Sequence, residues 1–296
     1  MRSTTASRAS FPVEQMVDAN VEAYAEDRQP QGPVALDGVQ PWCRRLALRP
    51  FFLSVAPNAP HTVSAKSKAE VEGTPALAPP RYANRFANAP LPRYPNFNEA
   101  DISDKPSFVH ELWPNQLTPD DIASLTDHYR GRMGALLGVD DLVGRVVKAL
   151  KRAGVYKNTD IIFTSDNGWT LGEHRFRDPI TQDGRATGVK YLPYEGTARV
   201  PLMAAGPDFP KQRVVNGVTV NADLAPTIEG ITGAKPKLPQ DGPSLVSVAK
   251  RPSLLDGRGV LLEDSRTHVM HRRTSRSARS ATATTACRTA RSRCTT

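Results

Sequence analysis

The amino-acid sequence predicts an α/β protein, and three observations carry this prediction. Apolar residues recur at three- and four-residue steps over about 119–150, as on one face of a long helix. The apolar run at 160–164 follows and has the length and β-branched content of a buried strand. Strand-like runs at 200–205 and 214–220, and a capped helix pattern at 223–230, continue the alternation.

Length and composition indicate a globular chain. The 296 residues suffice for one large α/β unit or about two domains, with 39% hydrophobic and 23% charged residues. No apolar run approaches the roughly 20 residues that span a bilayer, so no membrane partner is expected. The first residues carry no export signal, and the compartment stays open. Three cysteines support neither a disulfide framework nor a zinc site.

The formal net charge of +9 is concentrated at the end of the chain. Residues 271–296 hold seven arginines and no acid, so subtracting them leaves about +2 on residues 1–270. A nearly balanced body and a tail without aromatic residues do not favour nucleic acid as a partner. Because residues 271–296 have no large apolar side chain to bury, the tail at 266–296 is predicted to be disordered. A reading-frame shift in the gene is an alternative origin for this tail.

The N-terminal half is predicted to hold little regular structure. Residues 1–47 form a poorly defined segment, in which 16–24 are compatible with a short amphipathic helix. Residues 51–56 have the composition of a strand that stops at a proline-rich turn before His61. The region 62–118 is rich in Pro, Ala and Asn and is predicted as a long irregular insertion. The α/β domain itself is expected over 48–265.

The long helix has a well-marked start and end. Thr118 is a hydroxyl N-cap, Pro119 suits the first helical position, and acids fill the first turn. Gly154 supplies a C-terminal stop. We interpret its apolar stripe as a face packed on a sheet rather than as a ligand-binding face.

The sharpest candidate for chemistry is Asp166-Asn167-Gly168, which stands with Ser165 at the C-terminal end of the predicted strand at 160–164. A carboxylate and an amide oxygen side by side are hard donors that suit Ca²⁺ or Mg²⁺. The same three residues are also typical of a plain turn, because Asn and Gly tolerate positive φ. His174 and Lys190 follow and could donate to a sulfate or phosphate oxyanion, although such residues in loops are usually only solvated.

Taken in order, these segments resemble the sulfatase family of the alkaline-phosphatase-like superfamily. The resemblance covers about residues 48–265 and rests on 50–61, 139–144, 161–168, 190–201, 206–207, 223–227 and 241–245. It implies an alkaline-phosphatase-like α/β sandwich with a mixed, mostly parallel central sheet flanked by helices. The match is incomplete at the N-terminus.

The resemblance also implies a reaction and a site. Members hydrolyse sulfate esters as arylsulfatase-like hydrolases, using a formylglycine made from Cys or Ser and a divalent cation, generally Ca²⁺ and otherwise Mg²⁺. By position, Asp166 and Asn167 are the implied metal ligands. His61 and Lys190 are the implied catalytic contacts to the sulfate, and His174 is an implied substrate-binding neighbour. The implied partner is a sulfated small molecule or glycan.

Parts of the family's site have no counterpart in this sequence. No apolar strand followed by two acids precedes Pro50, so the expected metal site is incomplete. The family's nucleophile motif is Cys or Ser followed by x-Pro/Ala-Ser-Arg. The most similar segment here, residues 4–8, has Thr4 at the nucleophile position. Cys43 is not followed by the rest of the motif. The family's Lys-x-His pair is also missing.

We therefore hypothesise a sulfatase fragment that is inactive or nearly so alone, which leaves open whether this chain is an enzyme. A phosphate or phosphonate monoester hydrolase of the same superfamily and a non-catalytic sulfatase remnant are the alternatives.

Overall fold

The computed structural model describes residues 19–25, 50–62, 75–178, 186–262 and 285–288. They fall into two compact units. The first unit holds the described residues up to Lys157 together with those of Thr170–Val189. The second unit holds Asn158–Trp169 and the described residues from Lys190 onward.

The described residues form six strands and five α-helices. The strands are β1 Ala19–Ala25, β2 Phe51–Pro57, β3 Ile161–Thr164, β4 Leu202–Ala205, β5 Gly259–Leu262 and β6 Thr285–Arg288. The helices are α1 Ser107–Leu112, α2 Pro119–Arg152, α3 Glu195–Ala198, α4 Leu224–Thr232 and α5 Leu245–Lys250. Short 3-10 helices lie at Pro80–Tyr82, Tyr156–Asn158, Asn221–Asp223 and Pro252–Leu255.

Helix α2 begins where its sequence predicts. The Thr118 hydroxyl accepts a hydrogen bond from the Asp121 N–H at 3.1 Å, and the Asp121 carboxylate accepts one from the Thr118 N–H at 2.8 Å. This capping box satisfies two backbone donors that the helix itself leaves without partners. The helix ends at Arg152, and Gly154 takes the left-handed conformation with φ +77°. Both predicted boundaries are confirmed.

The first half of the buried face of α2 packs on irregular chain, whereas we expected a sheet there. Leu125 lies fully buried in a cluster with Leu91, Leu117 and Ala186. Close approach is possible because Gly131 and Gly134 lack side chains: a Cβ on either would lie 2.6 Å from Ala76 O or Ala78 Cβ, respectively. The segment at 75–118 therefore forms much of the described core of the first unit.

Every strand pair in the described ranges is antiparallel. Strand β1 pairs with β2, from Ala19 opposite Pro57 to Ala25 opposite Phe51. Strand β3 pairs with β4, and β5 with β6. The predicted α/β class is confirmed. The mostly parallel sheet that we expected is not seen among these described strand pairs. Strand β3 is also only half-buried, whereas its continuous apolar run predicted a fully buried strand.

Four other local expectations differ from the structure. Part of the suggested helix at 16–24 forms strand β1 instead, because pairing with β2 extends the chain. The run at 214–220 forms no strand, and its Val214 is 80% exposed. Helix α4 continues past Gly230 and ends before Gly233, which is left-handed. Within the tail predicted to be disordered, β6 forms a strand; the rest of that tail, and residues 1–18, lie outside the described residues.

A buried ion pair organises the second unit. Asp223 is fully buried, and its two carboxylate oxygens accept hydrogen bonds from the Arg258 guanidinium at 2.7 and 2.8 Å. The same carboxylate accepts from the Val220 N–H at 2.9 Å. The hydrogen bond to Asp223 raises the pKa of Arg258. This bidentate pair connects the start of α4 to the chain just before β5.

No helix in the described portion is both long enough and apolar enough to cross a bilayer.

We expect Thr118→Ala to lower the free energy of unfolding by about 1 kcal/mol, because the substitution removes the capping hydroxyl of α2. The measurement is the urea midpoint followed by circular dichroism. Thr118→Ser keeps the hydroxyl and is expected to remain close to wild type. Equal losses in the two variants would contradict a capping role.

Candidate metal-binding turn

The turn after β3 presents two side-chain oxygens. Asp166 uses its Oδ1 atom locally, accepting hydrogen bonds from the Asn167 N–H at 2.9 Å and from the Ser165 hydroxyl at 3.3 Å. The Asn167 amide donates to Gly168 O at 2.8 Å. Asp166 Oδ2 and Asn167 Oδ1 accept no hydrogen bond from the part of the chain that the structure describes. Asp166 is exposed and Asn167 half-buried. The turn therefore holds its two side chains in place and leaves one oxygen of each available.

Gly168 fixes this turn against helix α3. Its N–H donates to Thr197 O at 2.8 Å, and a Cβ at this position would lie 2.2 Å from Gly196 O. Thr197 is itself buried, and its hydroxyl donates to Leu192 O and Tyr194 O. No side chain larger than hydrogen fits between the turn and the helix. The glycine of the Asp-Asn-Gly motif is thus required by close packing.

Lys190 contacts the tryptophan that follows this turn in sequence. Its ammonium nitrogen is 5.8 Å from the ring centroid of Trp169, which directly follows Gly168 in sequence. This distance is within the range of a cation–π interaction. Thr170 follows Trp169 in sequence, and Val189 precedes Lys190. An antiparallel bridge joins Thr170 to Val189, so its register sets Trp169 opposite Lys190. The indole of Trp169 thus contacts the Lys190 ammonium.

Trp169 is the residue that the sequence analysis missed. It stands next to a recognised motif, but its partner lies 21 positions away in sequence. The only signal was an aromatic residue directly after Asp-Asn-Gly.

His61 belongs to the first unit and lies in a tight turn. Its N–H donates to Asn58 O at 2.8 Å, and its Nδ1 is 2.9 Å from Thr62 O. From helix α2, the Arg132 guanidinium donates to Pro60 O at 3.1 Å. Burial lowers the pKa of Arg132 to about 10. The His61 turn is therefore held by α2, as well as by its own hydrogen bonds.

His174 also belongs to the first unit, where both of its ring nitrogens are engaged. Nδ1 lies 2.8 Å from the Glu99 carboxylate, which can only accept, so Nδ1 carries a proton. Nε2 lies 3.2 Å from Asn96 Nδ2. The residue has φ +52°, and its N–H donates to Asn96 O at 2.7 Å. His174 therefore ties two loops together, and the predicted substrate-binding role stays a prediction.

The second unit holds three of the five predicted site residues, namely Asp166, Asn167 and Lys190. His61 and His174 lie in the first unit. The predicted convergence of all of them on one cavity stays a prediction.

A hard divalent cation fits the donor pair of the turn only in part. Asp166 and Asn167 offer one uncommitted oxygen each, whereas Ca²⁺ takes six to eight oxygen ligands. Within the described ranges, no group of three or more His, Cys, Asp or Glu side chains is arranged to hold a metal ion. The turn is therefore a partial donor set.

Comparison with known proteins identifies the family to which these motifs are similar. The model of the Sulfatase family matches residues 33–234. The chain is 33% identical over 199 residues to an arylsulfatase of Volvox carteri, covering 63% of this chain and 29% of that protein. It is 34% identical over 214 residues to an N-acetylglucosamine-6-sulfatase of Homo sapiens, and the alignment covers 72% of this chain and 34% of that protein. The chain thus spans about a third of the length of these relatives.

Solved structures show weaker similarity. One, a protein in complex with its substrate D-glucosamine-2-N,6-O-disulfate, aligns with a TM-score of 0.47 at 17% identity, covering 81% of this chain and 57% of that one. Another, a phosphonate monoester hydrolase from Silicibacter pomeroyi, aligns with a TM-score of 0.47 at 24% identity, covering 64% and 38%.

We expect Gly168→Ala to destabilise the chain by about 1–3 kcal/mol, because its methyl group would overlap Gly196 O. The measurement is the urea midpoint. The matched control is Gly144→Ala, on α2, where an added Cβ meets nothing within 4 Å. That change is expected to stabilise by about 0.5–1 kcal/mol through higher helix propensity. A neutral Gly168→Ala would contradict the close packing of the turn.

Proposed function

The chain belongs to the sulfatase family, and from this premise we propose that its Asp166-Asn167 turn supplies part of the divalent-cation site of a sulfuric ester hydrolase. The observation that carries the proposal is the pair of uncommitted oxygens on a turn that Gly168 clamps to α3. Carboxylate and amide oxygens are the ligands that Ca²⁺ and Mg²⁺ prefer. A bound cation of this kind supplies Lewis-acid stabilisation of sulfate oxygens.

Lys190 is the proposed sulfate contact in the second unit. Its ammonium lies over the ring of Trp169, which follows Gly168 in sequence. A cation fixed in advance stabilises the negative charge that develops on sulfate oxygens without the cost of reorganising at the moment of reaction. His61 is proposed as a second sulfate contact, supported by its position in the family pattern and by the turn that Arg132 holds.

The proposed substrate class is a sulfated sugar. Several of the similar proteins are N-acetylglucosamine-6-sulfatases, among them those of Bos taurus and Homo sapiens. The sulfate monoester of such a sugar is a permanent anion, which suits a site built from a divalent cation and an ammonium group.

The 296-residue chain alone is proposed to be unable to turn over sulfate esters. Its sequence has no Cys or Ser in the nucleophile motif, and Thr4 cannot yield the aldehyde. Removing the covalent centre of a site whose parts act together removes most of the rate enhancement. The chain then retains elements for binding the cation and the sulfate, but no attacking group.

Calorimetric titration with Ca²⁺ tests the metal part of the proposal. We expect weak binding, with a dissociation constant on the order of 10⁻³ M, because the turn supplies few of the ligands that Ca²⁺ needs. Asp166→Ala is expected to weaken binding at least about tenfold. The matched control is Asp256→Ala, which removes an exposed carboxylate elsewhere in the same unit. Identical titrations of wild type and Asp166→Ala would refute the site.

Hydrolysis of nitrocatechol sulfate in the presence of Ca²⁺ tests the second part. We expect no turnover above the uncatalysed rate, since the nucleophile is missing. An aryl phosphate measured alongside is expected to be equally inert. Robust turnover that Asp166→Ala abolishes would overturn the claim of inactivity while supporting the metal site.

A further inference from the structure

The first unit contains a short stretch of chain with three arginines and no acidic residue. Residues 75–98 contain Arg81, Arg85 and Arg93 and no acidic residue, and the next acid is Glu99. We call residues 80–94 the arginine segment. Since the chain outside the C-terminal tail is nearly neutral, this is a local concentration of charge rather than part of a general basic surface.

Helix α2 holds the backbone of the arginine segment on both sides of Arg85. Before it, the segment passes close to Gly134, where a Cβ would lie 3.6 Å from Tyr82 O. After it, the Arg130 side chain donates to Ala89 O at 3.0 Å. Positions 130 and 134 are one turn apart on the same helix face. The intervening stretch is therefore fixed at two points on one rigid element.

The segment is also closed by its own turns. Arg85 N–H donates to Tyr82 O at 3.0 Å, and Phe97 N–H donates to Tyr94 O at 2.8 Å. Leu91, between these turns, is buried in the core cluster of the first unit. With its backbone held at these points, the segment loses little backbone conformational entropy on binding.

Two of the three arginines are not committed to carboxylates. Arg81 forms an ion pair with Asp141 and lowers the pKa of that carboxyl. The Arg85 side chain is exposed and makes no hydrogen bond or ion pair with any described residue. Arg93 is exposed and lies with its guanidinium carbon 5.5 Å from the Phe97 ring centroid. The two outward guanidinium groups are thus available for an anion.

An exposed aromatic ring completes this surface. Tyr94, next to Arg93, is 62% exposed, an unusual degree for a residue in a segment anchored so closely. Its ring offers an apolar face with a polar edge, which suits the face of a sugar ring. Guanidinium groups pair with sulfate oxygens through two parallel hydrogen bonds.

We propose that Arg85, Arg93 and Tyr94 bind a sulfated oligosaccharide through its sulfate groups and one sugar ring. The inference rests on the proposed function, since it names how the same substrate class is held at a place other than the Asp166 turn. Two free arginines and a single ring are too few for nucleic acid, which demands many phosphate contacts. They match a short chain that carries two sulfates.

The test measures binding of a size-defined heparin hexasaccharide to the full chain, by calorimetry at low ionic strength without Ca²⁺. Arg85→Ala with Arg93→Ala is expected to weaken binding about tenfold, from the loss of two exposed charge pairs. Tyr94→Ala is expected to weaken it about fivefold, whereas Tyr94→Phe keeps the ring and should bind as wild type. All four changes are at exposed positions and should leave folding intact.

Two controls separate this surface from charge alone. Arg145→Ala with Lys148→Ala removes two exposed cations from α2 and is expected to leave affinity within about twofold of wild type. Replacing the seven tail arginines by serine is expected to preserve the tenfold difference made by Arg85 and Arg93. An equal loss in the Arg145/Lys148 variant, or a difference that vanishes with the tail arginines, would overturn the proposal. So would unchanged binding by the Arg85/Arg93 variant, or no binding by wild type.

A last pair of measurements keeps the two proposals distinguishable. Asp166→Ala is expected to lose Ca²⁺ binding and keep its affinity for the hexasaccharide, because the arginine segment lies outside the turn. Loss of hexasaccharide binding in Asp166→Ala would overturn the proposal that Arg85, Arg93 and Tyr94 bind the oligosaccharide independently of the turn. Single-stranded DNA at equal charge is expected to bind weakly and independently of Tyr94; tight binding that Tyr94→Ala weakens would overturn the proposal in favour of a nucleic-acid site.

Discussion

The contact between the Gly168 peptide and the chain at Gly196 and Thr197 is the constraint on which the candidate site depends. It fixes where the turn after β3 ends, and therefore where Asp166 and Asn167 stand. Each of those side chains uses one polar group in a hydrogen bond within the turn and has one oxygen that remains available. A metal-binding motif of this kind is a property of backbone packing as much as of its ligands.

Glycines play the same part in the first unit, where Gly131 and Gly134 let an irregular segment approach α2 closely. Chain without regular structure is thereby tied to a rigid helix, and the His61 turn is held to that helix as well, through Arg132. The consequence is that functional candidates in loops need not be mobile. The same docking presents the arginines of the segment at 80–94 to solvent.

Local signals predicted α2, β3 and the donor pair, because caps, apolar runs and the Asp-Asn-Gly turn act over a few residues. The family match over 33–234 confirms the sulfatase resemblance and with it the predicted fold class. Strand β1 was missed because its pairing partner lies some thirty residues away. The engagement of His174 with Glu99, and of Lys190 with Trp169, was likewise invisible, since each joins residues distant in sequence. Long-range contacts, rather than local preference, decide such cases.

Terbium luminescence tests the central claim, that the Asp166-Asn167 turn binds a hard cation beside Trp169. Tb³⁺ occupies oxygen-ligand sites of Ca²⁺ type and emits when a nearby indole transfers excitation energy to it. We expect saturable emission from wild type. Asp166→Ala should abolish it through loss of the ion, and Trp169→Phe through loss of the energy donor. Undiminished emission from both variants would contradict the central claim.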